Sequence, residues 1–196
     1  MDEALRTAAT YEANADDYTE KYRAGSVAAD YGGPFVDALS GDRVLDVGCG
    51  PGSDAAAFAD RGLDVVGLDV TQSFLAAARG DVDGAFCRGD ARALPFADGR
   101  FAGVWSSAAL HHLPKSEFAD ALAECRRVLA ADGVFFCSVK RGADAGFEPD
   151  DDHGGGDDRF FAYYEPDELR DALSAAGLAG EVRADDRWVS ALAHPA

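Results

Sequence analysis

Residues 44–52 read VLDVGCGPG and residues 65–70 read VVGLDV. Val44, Leu45 and Val47 are the apolar, branched residues that a parallel strand buried on both faces requires. Gly48, Gly50 and Gly52 let the backbone turn sharply and approach a ligand where a side chain would block it. Ser53 then opens a predicted helix, with Ala55, Phe58 and Ala59 available to pack and Gly62 to end it. The next strand, over 64–68, delivers Asp69, 21 residues beyond Gly48, to the carboxyl edge of the sheet. An ionised side chain there accepts hydrogen bonds from both hydroxyls of a ribose. Strand, glycine loop, helix and acid-tipped strand together describe an α/β fold built to hold an adenosine-type cofactor.

The glycine spacing separates two kinds of cofactor. A dinucleotide site uses G-x-G-x-x-G, because the third glycine lets the helix close on the strand while its N-terminus faces a pyrophosphate. Here the spacing is G-x-G-x-G, and a carboxylate, Asp46, precedes it. Such a loop suits a ligand without phosphate, with Asp46 facing a cationic group directly or through water. The pattern points away from a nicotinamide dinucleotide.

Composition bounds the rest. A chain of 196 residues holds one α/β domain with a sizeable core and is too short for two. It has no N-terminal basic-then-apolar segment and no apolar run approaching the ~20 residues of a membrane helix, so a soluble, cytoplasmic protein is expected. Cys49, Cys87, Cys125 and Cys137 are widely spaced and never form C-x-x-C, so they read as small buried hydrophobes rather than zinc ligands or a disulfide framework. The net charge is −18, with 36 acidic residues against 18 basic ones, and the acids are dispersed. A solvation adaptation to high salt, as in halophilic organisms, explains that dispersal better than a cationic partner does. The same acidity disfavours a broad nucleic-acid surface, although a local arginine patch remains open to RNA in strong salt.

Along the chain, residues 1–40 form a helical cap carrying Tyr11, Tyr18, Tyr22 and Tyr31, broken at Gly32-Gly33-Pro34 before a short apolar helix over 35–39. The core occupies 41–196. Strands are predicted near 43–47, 64–68, 84–87, 101–106, 133–140, 180–185 and 187–193, with helices alternating between the first five. Apolar residues from Phe118 to Leu129 recur at helical spacing, with Ser116 placed to cap the start. Pro166 and Gly177 bracket another helix. The last two strands, joined by Ala184-Asp185-Asp186, read as an antiparallel hairpin. Between 142 and 158 lies an acidic, glycine-rich stretch without periodicity, read as a flexible insertion over the site, with Asp150, Asp151, Asp152 and His153 a remote metal possibility. No metal site is expected.

Five segments, in order, carry a family resemblance: LDVGCGPG, GLDV, RGDARALPFADGRF, VWSSAALHHLP and RRVLAADGVFFCSVKRG. The chain resembles class I S-adenosylmethionine-dependent methyltransferases, of the small type that includes the ubiquinone and menaquinone biosynthesis enzymes. The resemblance implies a Rossmann-like sheet of order 3-2-1-4-5-7-6 with strand seven antiparallel, helices on both faces, and S-adenosylmethionine as cofactor, released as S-adenosylhomocysteine. It implies cofactor contacts from the glycine loop (Asp46, Gly48, Cys49, Gly50 and Gly52) and from the ribose-binding Asp69 with Val70. Asp90 with the Ala91 amide is implied on the adenine side, and the Ser106 carbonyl facing the ammonium. Tyr18 and Tyr22 are expected to close over the cofactor from the cap.

His111 and His112 follow strand four at the substrate edge, and an imidazole titrates near neutrality, so either is a candidate general base. Arg159 and Tyr163, in the aromatic run RFFAYY, are candidates to face substrate, Tyr163 as a catalytic residue. The expected reaction is in-line methyl transfer to a small-molecule acceptor. The alternatives are an RNA (tRNA) or protein methyltransferase and a catalytically silent cofactor-binding partner subunit. No Asn-Pro-Pro-Tyr type motif supports amino methylation of DNA or RNA, and DNA is not an expected partner. The acceptor atom and the oligomeric state are not encoded in any motif.

Overall fold

A computed structural model describes residues 2–149 and 158–196. Its centre is a seven-stranded sheet built from β1 (Arg43–Val47), β2 (Asp64–Asp69), β3 (Ala85–Arg88), β4 (Phe101–Ser107), β5 (Leu129–Lys140), β8 (Leu178–Ala184) and β9 (Trp188–Pro195), in the order β3-β2-β1-β4-β5-β9-β8. The first five strands are mutually parallel, and β9 runs antiparallel to both β5 and β8. This is the expected order 3-2-1-4-5-7-6 with its seventh strand reversed. The reversal follows from chain geometry, since a three-residue link between β8 and β9 allows only an antiparallel return.

Alternation along β1 assigns the two faces of the sheet. Leu45 and Val47 join a core with Phe118, Leu122, Leu169 and Leu173, from α7 (Lys115–Val128) and α8 (Pro166–Ala175). Val44 joins Phe58 of α5 (Ser53–Ala59), Trp105 and Phe35 on the opposite face. Asp46 shares that second face but sits at the strand end, buried to 2% exposure. A carboxylate is thus carried into the interior by the register of a strand whose neighbours all demand burial.

The N-terminal residues form α1 (Glu3–Ala13), α2 (Ala15–Arg23), α3 (Val27–Tyr31) and α4 (Gly33–Asp37). Helix α6 (Gln72–Asp81) follows β2. The aromatic residues of the cap meet there: Tyr18 packs with Tyr11, Tyr22 and Phe74 at ring-centroid distances of 4.7, 5.8 and 6.5 Å.

Several local expectations are corrected. Ser53 opens α5 as expected, its hydroxyl donating to the Tyr22 carbonyl at 2.7 Å, but the helix ends at Ala59, before Gly62. Ser116 lies inside α7, which starts after Pro114 without a side-chain cap. β5 begins at Leu129, where the ladder to β4 is irregular. The hairpin turn is Asp185-Asp186-Arg187, one residue later than predicted. The stretch read as an unstructured insertion carries a strand, β6 (Ala145–Glu148), paired antiparallel with β7 (Arg159–Ala162). β6 holds only four residues, too few for alternation to show. The candidate metal ligands Asp150 to His153 lie outside the described residues.

Candidate functional site

At the carboxyl edge of β1, β2, β3 and β4 lies a cavity of about 330 Å³. Its floor is the glycine loop. The Gly48 and Cys49 amides donate to the Leu68 carbonyl at 2.7 and 3.1 Å, clamping the loop onto the end of β2. Gly48 has φ +73°, and a Cβ there would stand 2.2 Å from the Ala109 side chain. That close approach lets the segment leaving β4 roof the loop, and only glycine permits it.

Asp69 lines the cavity and braces this floor, its two oxygens accepting from the Gly50 amide (2.9 Å) and the Thr71 amide (2.8 Å). Burial raises its pKa, and those amide bonds oppose the rise. Asp46 differs. One of its oxygens, Oδ2, is buried without any hydrogen-bond partner. Burial, then the neighbouring Asp54 and Asp69 charges, push its pKa well above the usual carboxylate range. Asp54 is satisfied, accepting from the Ser26 hydroxyl, the Ala28 amide and the Trp105 indole at 2.7 to 3.0 Å. A buried oxygen left bare is costly unless a ligand supplies a donor or a positive charge.

At the β3 end, Asp90 and Ala91 line the cavity. The Arg92 guanidinium grips the Asp90 carboxylate at 2.6 to 3.1 Å and also reaches Asp2, at the start of α1, and Glu117 of α7. Burial alone would raise the Asp90 pKa, and Arg92 more than reverses it, leaving the carboxyl below its ordinary value. Asp90 is thereby tied to the start of α1, an arrangement the motif did not announce.

Beyond β4, Ala108 takes a positive φ of 52°, the sole non-glycine to do so among the described residues. Its amide donates to both the carbonyl and the hydroxyl of Ser138, at 3.1 and 3.0 Å, which hold the strained turn in place. A single 3₁₀ turn follows, Leu110–His112. His112 lines the cavity, whereas His111 does not. His111 is buried with its Nδ1 accepting the Lys140 amide at 3.2 Å, beside Phe161 and Trp188. The ring of His112 lies between two partners. Its Nδ1 is 2.7 Å from the Phe160 carbonyl, which only accepts, so Nδ1 carries the proton and Nε2 receives the Tyr11 hydroxyl at 2.9 Å. Burial, with Arg159 and Lys140 nearby, lowers the His112 pKa to about 4.

The structure therefore gathers Tyr22, Asp46, Gly48, Cys49, Gly50, Asp69, Val70, Asp90, Ala91 and His112 around one cavity. Six expected residues stand outside it, among them Arg159, which touches the cavity-lining Tyr11 through its guanidinium. Tyr18 is fully buried behind Tyr22, and Gly52 (φ +92°) admits Ala78 of α6. The Ser106 hydroxyl donates to the Val47 carbonyl, and Ser107 and Ala108 line the cavity instead. His111 packs as described, and Tyr163 lies beyond β7, its amide donating to the Asp144 carbonyl. Tyr11 was noted as a cap aromatic but not as a site residue. It lies on α1 while Tyr18 and Tyr22 lie on α2, so no helical spacing links it to them.

Residues 44–133 match the family model described as "Methyltransferase domain". A 101-residue stretch, 50% of this chain and 41% of the relative, is 45% identical to a demethylmenaquinone methyltransferase of Renibacterium salmoninarum. The match thus spans less than half the length of that curated relative. Among solved structures, DhpI in complex with SAH superposes with a TM-score of 0.75 at 21% identity, covering 98% of this chain and 97% of that one. The 1,6-didemethyltoxoflavin-N1-methyltransferase of Burkholderia thailandensis does so at 0.72 and 21%, covering 98% and 87%. Residues 44–133 are thus similar to a methyltransferase domain, and the whole chain shares the fold of these solved methyltransferases.

Proposed function

We propose that the protein binds S-adenosylmethionine at this cavity and transfers its methyl group to a small-molecule acceptor. The observation that carries the reading is the bare, buried Oδ2 of Asp46 beside the glycine loop. A cofactor that is cationic at both its sulfonium and its ammonium, and has no phosphate, supplies what that oxygen lacks. Asp69 would hold the ribose hydroxyls with the lone pairs its amide bonds leave free, and Asp90 with the Ala91 amide would hold the adenine. Bound there, the sulfonium provides an electrophilic methyl group. The protein's share is to align the acceptor and keep water out, with Tyr22 and the α1 residues Ala4, Leu5 and Ala8 closing the cavity from the cap. The demethylmenaquinone and didemethyltoxoflavin enzymes are named for small-molecule substrates, which favours an acceptor of that size.

Calorimetric titration with S-adenosylmethionine and S-adenosylhomocysteine tests the assignment. Wild-type protein is expected to bind both, and Asp46→Asn to bind at least about tenfold more weakly, a loss of about 1.4 kcal/mol or more. Equal affinity in the two proteins would remove the basis of the reading. Turnover with labelled cofactor against cell metabolites, and separately against undermethylated RNA, distinguishes the acceptor classes.

A further inference from the structure

The cavity is electrostatically divided. Its carboxylates, Asp46, Asp54, Asp69 and Asp90, all come from the ends of β1, β2 and β3 and the start of α5. The end between the middle of α1 and the 3₁₀ turn is walled by Ala8, Leu110 and Leu113 and holds Thr7, Tyr11 and His112 as its polar groups. The Tyr11 hydroxyl sits 2.9 Å from His112 Nε2 and accepts from Arg159 Nη1 at 3.2 Å. It thus donates toward a bare imidazole nitrogen, while burial and Tyr22 push its pKa well above the ordinary value and Arg159 opposes that rise.

From this arrangement the geometry points to a proton relay, Tyr11 to His112 with Arg159 as the positioning cation, serving an acceptor whose nucleophile is a phenol or enol hydroxyl on a largely apolar body. This rests on the methyl-transfer reading above. An amine that is protonated in solution needs a carboxylate beside it, and this end of the cavity has none among the lining residues. A thiol ionises readily enough to need little help. A phenol or enol has to lose its proton as its oxygen is methylated, and the forming bond to carbon makes that proton strongly acidic, so its transfer to the Tyr11 oxygen runs downhill at that moment. As the acceptor oxygen bonds to the methyl carbon and the carbon–sulfur bond breaks, the sulfur keeps that bond's electron pair and becomes a neutral thioether. The acceptor proton passes to Tyr11 Oη, and the Tyr11 proton passes to His112 Nε2. The positive charge lost at sulfur reappears on the imidazolium, whose Nδ1–H already points at the Phe160 carbonyl. Release to solvent resets the relay.

The test follows S-adenosylhomocysteine formation with catechol and 1-naphthol, and with benzylamine and benzenethiol as size-matched controls. Methylation of the phenols in preference to the controls is expected. Tyr11→Phe should keep its unfolding midpoint, its S-adenosylhomocysteine affinity and its KM within about threefold, and lose kcat by roughly 100-fold or more. His112→Gln, whose side-chain oxygen still accepts from Tyr11 but takes no proton, should lose kcat with KM unchanged. Nitrogen NMR of the unliganded protein should show His112 protonated at Nδ1 and bare at Nε2. Phenols left unmethylated by protein that binds S-adenosylhomocysteine would overturn the proposal, as would transfer confined to the amine or thiol, undiminished kcat in Tyr11→Phe, or a protonated Nε2. Failure of wild-type protein to bind S-adenosylhomocysteine would instead remove the methyl-transfer reading, and the relay with it.

Discussion

Asp46 was visible in the sequence as the acid before the glycine loop, but its condition was not. Asp54 lies on the same face with three donors around it, whereas Asp46 keeps a buried oxygen bare. Three-dimensional neighbours decide which of two aspartates is available to a ligand. The same feature makes Asp46 a burden to the free protein, since a buried carboxylate oxygen without a partner costs stability. Asp46→Asn should therefore raise the melting temperature of the unliganded protein by roughly 2–6 °C, about 1–2 kcal/mol, while weakening cofactor affinity; differential scanning calorimetry without ligand checks it. His112 gives a pH signature. Its imidazole is less basic folded, at about 4, than at its ordinary 6.5, so the unfolded chain takes up the proton first. Stability is complete above about pH 6.5 and is lost as pH falls toward 4, by up to about 3 kcal/mol. Asp46 and Asp69, with raised values, act oppositely, losing their contribution as pH rises. The informative quantity is hence the difference between wild type and His112→Gln, and the variant should show the shallower decline between pH 6.5 and 4.

At the scale of elements, the glycine loop and the exit of β4 form one unit. Gly48 makes room for Ala109, and the strained Ala108 is held by Ser138 of β5. Gly48→Ala would force a side chain into a left-handed backbone and against the Ala109 methyl. The expected loss is about 2–5 kcal/mol, a fall in melting temperature of roughly 5–15 °C, read by thermal unfolding. That glycines stand here was legible, because their spacing is local. Which histidine of the pair meets the cavity was not, because it depends on the short 3₁₀ turn and on β7 supplying the Phe160 carbonyl to His112 from 48 residues away. Tyr18 and Tyr22 illustrate the same limit. Both lie on α2, and the packing of Phe74 against them buries one behind the other.

At the scale of the whole molecule, a net charge of −18 sets a self-repulsion that salt screens, with a Debye length falling from ~10 Å at 0.1 M to ~3 Å at 1 M. The melting temperature is expected to rise steadily as potassium chloride increases from 0.1 to 2 M; a flat or falling profile would speak against salt adaptation. The strands and the antiparallel last pair were legible from the chain, because apolar runs and loop lengths are local quantities. The sheet order was implied by the family resemblance, since no local spacing states which strands become neighbours. The half of the cavity lined by the glycine loop and the strand-end acids was mostly legible, since it is made by consecutive β–α turns at one sheet edge. The other half is made by contacts that no sequence spacing encodes. Tyr11 meets His112 across 101 residues and Arg159 across 148, and the Thr7 hydroxyl receives the Phe160 amide across 153. The sequence by itself determined the strands, the glycine loop and the acids at the strand ends, because periodicity and turn chemistry act between near neighbours. Only the tertiary structure decided which groups line the rest of the cavity, because that depends on how the cap helix and the β6–β7 pair settle over the sheet.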